Sequence, residues 1–359
     1  MKNDNLKQEL YNSLRMLAPG TELRLGIDNI VRSKTGALIV IGNEEDVLKI
    51  IDGGFIIDKD YTPYYIYELA KMDGAVIISS DCKKILYANV QLLPDQNIFS
   101  QETGIRHRTA ERVSKQTKAL VVAVSQRRNI ITLYKGNIKY VLRDTNQVLN
   151  KANQAIQVLE KYKTVFNQAI NNLTILEFED LVTVYDVAKI IQKVEMIERI
   201  EEEIERYILE LGNEGRLITM QMEEIMSNVK EDKMNIIKDY WYHNQEKSYQ
   251  KINEEIMNLS SEELLNLSNI ARIFGYDNDN NSLDVNIYPK GYRILNKIPR
   301  ISSGVLENVI KMFGSLQRIL KASVSELDLA EGVGEIRAKI IKEGLKRYQD
   351  QVFIERHII

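Results

Sequence analysis

Three rhythms of apolar and polar residues follow one another along this chain of 359 residues. The first consists of short apolar runs punctuated by Gly and Asn: "GALIVIG" (36–42), "GGFIID" (53–58), "GAVIISSD" (74–81), "KILYANVQLL" (84–93), "ALVVAVS" (119–125), "NIITLYKG" (129–136) and "NIKYVL" (137–142). Their Val, Ile and Tyr content predicts strands. Between them, "YTPYYIYELAKM" offers Thr62 as an N-cap and Pro63 at the first helical position. Likewise "TAERVSKQTKA" offers Thr109 as a cap, with apolar Val113 on an otherwise charged helix. Strands interleaved with helices over residues 1–146 predict one α/β domain, a mixed sheet with flanking helices.

The second rhythm starts after Asp144, where the strand signal stops and Gly and Pro nearly vanish. Ile190, Val194, Ile197, Ile200, Ile204, Ile208 and Leu211 form a stripe at helical spacing. Glu195, Glu198, Glu201, Glu202 and Glu205 lie on the opposing face, which reads as a solvated helix surface. Residues 147–290 are therefore expected to form an all-α linker domain. A polar, turn-rich stretch, "YDNDNNSLDVNIYPKG", marks the next boundary. Beyond it, within 291–359, "KIPRISSGVLENVI" and "LAEGVGEIRAKIIK" align at an offset of 32 residues, Ile301 on Val333, Ser302 on Gly334 and Leu306 on Ala338.

No apolar run approaches the ~20 residues that span a bilayer, and the first residues lack the apolar core of a secretory signal. The expected location is the cytoplasm, with no membrane partner. The single cysteine, Cys82, allows no internal disulfide and no zinc cluster, and reads as a small residue in a strand. The net charge of −3 is unevenly spread. Residues 1–149 carry 21 Lys and Arg against 17 Asp and Glu, residues 150–290 carry 15 against 26, and residues 291–359 carry 12 against 8. Acid is concentrated in the middle, which leaves both ends able to meet phosphate-rich partners.

At the carboxyl end, "EGVGEIRAKI" fits a hairpin between two helices. Gly332 and Gly334 permit the turn, Val333 tucks inward and Ala338 lets the helices approach. Amides at a helix start can hold a DNA phosphate without reading bases, and Arg337, Lys339 and Lys342 would add counterion release. With the preceding "FGSLQRILKASVSELDLAEGVG", the segment resembles the tandem helix-hairpin-helix module of DNA repair proteins. Its first copy has Arg300 and Ser302 in place of the glycines, so it either only packs or touches phosphate through Arg300.

At the amino end, "GIRHRTAERVSKQTKA" gathers Arg106, His107, Arg108 and Thr109 at a predicted helix start, donors suited to a polyphosphate. About thirty residues earlier, "KMDGAVIISSD" places Asp73 and Gly74 between a helix and a strand. The pair "DGA" and "RHRTA" resembles the signature of the diadenylate cyclase family, and the acidic helical middle and hairpin tail extend the resemblance over the whole chain. The resemblance implies that two ATP are condensed into cyclic di-AMP. It implies that Asp73 promotes attack by a ribose 3′-hydroxyl, directly or through Mg²⁺ or Mn²⁺. Gly74 then admits the nucleotide, Leu92 contacts adenine, Ile105, Arg106, His107, Arg108 and Thr109 wrap the phosphates, and Ser125 and Arg128 add contacts. It further implies face-to-face cyclase domains in a homo-octamer and binding of branched DNA such as recombination intermediates. An ATP-binding sensor of DNA structure without turnover is the alternative. Asp73 argues against it, because a carboxylate beside polyphosphate is repulsive unless a metal or a proton transfer uses it.

Overall fold

The computed structural model describes residues 2–42, 45–242, 248–276 and 282–356. Two compact units emerge, Met1–Ile156 with Glu203–Gln221, and Gln157–Glu202 with Met222–Ile359.

The first unit is built on eight strands: β1 (Ala37–Ile41), β2 (Ile51–Asp52), β3 (Phe55–Asp60), β4 (Ala75–Ile78), β5 (Lys84–Leu92), β6 (Leu120–Ser125), β7 (Ile130–Lys135) and β8 (Ile138–Leu142). They run in the order β2-β5-β4-β1-β6-β7-β8, with β3 also on β5. Only β1 and β4 pair in parallel; the other pairs are antiparallel, so the sheet is mixed. Every residue of β1 is buried, which explains its unbroken apolar run in place of alternation. The helices of this unit begin with α1 (Lys2–Met16), α2 (Glu22–Arg32), α3 (Glu45–Leu48), α4 (Pro63–Leu69) and α5 (Ile105–Thr117). Leu17, Ile27, Ile30 and Ile66 form one core with Ile39, Val76 and Val122. The opposite sheet face packs Val40, Ile77, Val121 and Tyr134 with Ala110 and Val113 of α5. Thr62 caps α4 by accepting from the Tyr65 N–H at 3.1 Å, with Pro63 at the first helical position.

Two sequence expectations change here. Helix α5 begins at Ile105 with Gly104 as N-cap, so Thr109 is not a cap but lies in the second turn. Cys82 sits in the turn between β4 and β5 at φ 57°, not in a strand, and burial pushes its thiol up to about 11.

Beyond the sheet come α6 (Thr145–Glu179), α7 (Val184–Leu211), α8 (Arg216–Met226), α9 (Val229–Tyr240), α10 (Tyr249–Met257), α11 (Ser261–Leu265) and α12 (Leu267–Phe274). The apolar stripe of α7 is buried at Ile190, Val194, Ile197, Ile204 and Leu211. Its acidic face is solvated only in part: Glu202 and Glu205 are exposed, but Glu195, Glu198 and Glu201 are not. Lys233 of α9, almost wholly buried, donates to Glu195 at 3.0 Å and Glu198 at 2.5 Å, and Lys230 donates to Glu201 at 2.9 Å. The repeated glutamates are one half of an ion-pair seam whose other half is 35 or so residues away, which no local pattern discloses.

The chain ends in α13 (Tyr292–Leu295), α14 (Ser303–Phe313), α15 (Leu316–Lys321), α16 (Val324–Asp328) and α17 (Glu335–Arg356), packed round Leu295, Leu306, Val309, Leu316, Val333, Ala338 and Ile341. Asp239 of α9 accepts the backbone N–H groups of Gly291, Tyr292 and Arg293 and so caps α13. Arg293 is completely buried and pairs with the equally buried Glu177 of α6, while donating to Thr174 at 3.0 Å. Removing one partner leaves a buried charge uncompensated, so Glu177→Leu is expected to destabilise this unit by about 3–5 kcal/mol. The double variant Glu177→Leu, Arg293→Met should recover most of that loss. Urea unfolding of the full chain checks both, and additive losses would refute the pairing.

Candidate functional site

One cavity of about 1160 Å³ opens at one end of the sheet in the first unit, somewhat larger than most small-molecule sites. Strand register explains which residues reach it. Ala37 pairs with Val124, Ser125 with Ile130, and Ala75 with Val90. The starts of β1 and β4, the end of β6 and the start of β7 therefore lie in one row.

The residues on this row and the start of α5 line the cavity. Asp73, Gly74, Leu92, Ile105, Arg106, His107, Thr109, Ser125 and Arg128 all border it. Gly74 is required by close approach, since a Cβ there would lie 2.3 Å from the Asn89 carbonyl carbon. Gly36 makes room for Arg106, whose Nη1 would be 2.1 Å from an added Cβ. The side chains of Asp73, Arg106, Arg127 and Arg128 make no hydrogen bond or ion pair among the described residues.

Arg108 is a correction. It does not border the cavity; its guanidinium donates to the carbonyls of Glu102 at 3.2 Å and Thr103 at 3.5 Å. It has company, for Arg112 donates to the Ile98 carbonyl at 2.9 Å and Lys115 to that of Phe99 at 2.9 Å. Arg108, Arg112 and Lys115 recur at i, i+4 and i+7, one face of the helix. That face holds the loop before it, while Arg106 borders the cavity.

Several wall residues lay outside the sequence expectations: Asn89, Glu102, Arg127 and Lys139. Arg127 adjoins Arg128 in "SQRR" and was within reach of the charge pattern. Glu102 accepts from Lys139 at 2.5 Å and from the Tyr134 hydroxyl at 2.8 Å, an arrangement only the fold brings together. Burial works to raise the Glu102 pKa, but these bonds and the nearby His107 outweigh it and hold the carboxyl below the usual carboxylate range. His107 packs edge-on against Tyr134 with centroids 6.4 Å apart. Burial lowers its pKa, Glu102 opposes that, and Lys139, Arg106 and Arg128 reinforce it, so the imidazole is neutral near pH 7. An anion placed among these cations would raise it again.

In the second unit the two hairpins share the backbone conformation at one turn position and differ at the other. Arg300 takes φ 68° where Gly332 takes 79°, both left-handed; Ser302 has φ −75° where Gly334 has 49°. Arg300 is exposed and without a partner among the described residues. The second hairpin's cations are engaged: Arg337 donates to the Gly332 carbonyl at 2.5 Å, Lys339 pairs with Glu335 at 2.7 Å, and Lys342 donates to the carbonyls of Leu320 at 2.7 Å and Ala322 at 2.6 Å. Lys342 thus terminates α15 and is not available to a ligand as drawn from sequence.

Comparisons with known proteins agree with this layout. A family model described as the DisA bacterial checkpoint controller nucleotide-binding region matches residues 24–138. A second, the DisA bacterial checkpoint controller linker region, matches residues 142–283. Among curated relatives, the DNA integrity scanning protein DisA of Clostridioides difficile (strain 630) is 54% identical over 98% of each chain. That of Acetivibrio thermocellus is 55% identical over 97% of this chain and 96% of its own. Fold, cavity and matches define a diadenylate cyclase, with its nucleotide-binding domain ahead of a helical linker. More narrowly, the chain belongs to the DisA family. No helix among the described residues is long and apolar enough to cross a membrane.

The division of labour on α5 can be checked directly. Arg108→Ala removes bonds with a net worth of about 1 kcal/mol, so amide hydrogen exchange over residues 98–104 should accelerate roughly fivefold. Arg106→Ala should leave exchange there unchanged.

Proposed function

We propose that the cavity binds ATP and that two copies of the first unit, facing each other, condense two ATP into cyclic di-AMP and two diphosphates. The observation that carries this reading is the unpartnered carboxylate of Asp73 in the same cavity as the unpartnered guanidiniums of Arg106, Arg127 and Arg128. A pure binding site for polyphosphate gains nothing from such a carboxylate. In each half-reaction the 3′-hydroxyl oxygen of one ATP bonds to the α-phosphorus of the other. The bond from that phosphorus to the β-phosphate bridge oxygen breaks, diphosphate leaves, and the hydroxyl proton departs on the Asp73 side.

The guanidiniums and the first amides of α5 neutralise and orient the phosphates, which is most of what phosphoryl transfer requires. Leu92 offers an apolar wall for adenine, and Ser125 and Thr109 offer hydroxyls. No group of three or more His, Cys, Asp or Glu among the described residues could hold a metal alone. The donor set therefore fits Mg²⁺ or Mn²⁺ shared between Asp73 and substrate phosphates, where the ion would supply further charge neutralisation. The octamer implied by family resemblance would present such facing pairs.

For the hairpins we infer contact with the phosphates of branched DNA, independent of sequence. Exposed amides at the starts of α14 and α17 and the exposed Arg300 support it. Cation contacts there centre on Arg300 and Lys339, the latter in exchange for Glu335.

Asp73→Asn should retain ATP binding and lose product formation, measured by calorimetry and by mass analysis of nucleotides after incubation with ATP and Mg²⁺ or Mn²⁺. Product formed near the wild-type rate would remove Asp73 from the reaction. Arg106→Ala should weaken ATP binding by about 1.5–3 kcal/mol. In DNA titrations, Arg300→Ala should weaken binding equally across sequences and lower the salt slope by about one; an unchanged slope would leave the first hairpin as packing alone.

A further inference from the structure

We infer that Asn89 is a positioning residue for the reaction, holding the Asp73–Gly74 turn at the cavity wall through its side-chain carbonyl. The inference rests on the reading of the cavity as a cyclase site. Four observations converge on it. First, Asn89 borders the cavity, on the middle of β5, with no role assigned by the motifs on either side. Second, its backbone is left-handed at φ 55°, inside a strand, a conformation that non-glycine residues seldom take there. Third, the β4–β5 register slips there: Ala75 faces Val90 but Ile77 faces Tyr87, so β5 carries an extra residue. Such a bulge re-aims a side chain. Fourth, the re-aimed Oδ1 accepts the Gly74 N–H at 3.1 Å.

The close approach at Gly74 shows how tight this junction is. Main chain of Asn89 occupies the space that any side chain at residue 74 would need. Backbone contact sets the distance between the two strands, and the amide bond sets the rotation of the Asp73–Gly74 peptide. Asp73 itself is exposed and has no other bond among the described residues to fix it. The strain at residue 89 is thus retained where it orients the one carboxylate the chemistry uses. Asn suits the position because it tolerates the left-handed region and offers an acceptor.

The test compares Asn89→Gly, which keeps the backbone conformation and deletes the acceptor, with Asn89→Asp, which keeps both. Three measurements are made on the full chain: cyclic di-AMP formation against ATP concentration, thermal midpoint, and exchange of the Gly74 amide. Misplacing a reacting group by about 1 Å can lower a rate 10²-fold, so Asn89→Gly should lose roughly tenfold to hundredfold in kcat. Its KM should change less than about threefold, because the cations that hold phosphate are untouched. Its thermal midpoint should stay near wild type while the Gly74 amide exchanges faster. Asn89→Asp should recover most of kcat and protect the amide, with a raised KM from the added charge. Wild-type kcat in Asn89→Gly, or equal losses in both variants, would overturn the inference, as would a lowered thermal midpoint with unchanged exchange at Gly74. If the wild-type chain makes no cyclic product, the cyclase reading fails instead, and the exchange of Gly74 still decides whether Asn89 holds the turn.

Discussion

Cations gathered without partners repel one another, and α5 turns three of its own onto carbonyls of the chain just before it and not into the cavity. Arg108, Arg112 and Lys115 donate to four carbonyls between Ile98 and Thr103. The same bonds fix the loop, and the loop fixes where α5 begins. The helix start then aims its free amides, Arg106 and His107 at the cavity, with the positive end of the helix dipole adding to the field. Lys139 is neutralised by Glu102, leaving Arg106, Arg127 and Arg128 as the groups ready for an anion. Loop, helix and cavity are thus consequences of how one short basic segment distributes its charge.

That distribution marks the limit of what the sequence shows. The apolar runs placed all strands but the two-residue β2, whose pairing with Leu92 and Gln91 is a matter of tertiary register. "DGA" and "RHRTA" both border the cavity, and it is their pairing as a family signature, more than the residue types alone, that points there. What could not be read was direction. "RHR" contains two identical guanidiniums, of which one borders the cavity and the other donates to the carbonyls of Glu102 and Thr103. Asn89, Glu102 and Lys139 carry no motif; each matters through a partner between 15 and 37 residues away. The part of the acidic face of α7 that is not solvated escaped for the same reason, the countercharge of Glu195 and Glu198, Lys233, lying on another helix.

The hairpins give the reverse lesson at their first turn position, where the backbone repeats and the side chain does not. Arg300 adopts the left-handed conformation that its counterpart leaves to Gly332, at about 1–2 kcal/mol. Glycine is therefore not what the turn needs; it is what the turn needs most cheaply. Keeping an arginine there places a guanidinium at an exposed tip, whereas Arg337, Lys339 and Lys342 of the second hairpin fold back onto their own chain. A glycine-based motif search ranks the two copies in the opposite order to their free charge.

Sheet order also bears on why the proposed chemistry needs two copies. Asp73 precedes β4, and Arg127 and Arg128 follow Ser125 at the end of β6, with β1 between. Two interstrand steps of about 4.8 Å set the backbones of the two strands roughly 10 Å apart across the row. A nucleotide whose ribose 3′-hydroxyl lies by Asp73 thus has its phosphates drawn to the far side of the same cavity. Its own α-phosphate is then held away from its own hydroxyl, which disfavours closure within one molecule. The hydroxyl oriented by Asp73 must find an α-phosphorus from elsewhere. A second cavity facing the first supplies one and, by symmetry, receives the other, so each bond formed has an equivalent partner and the product closes only when both have formed.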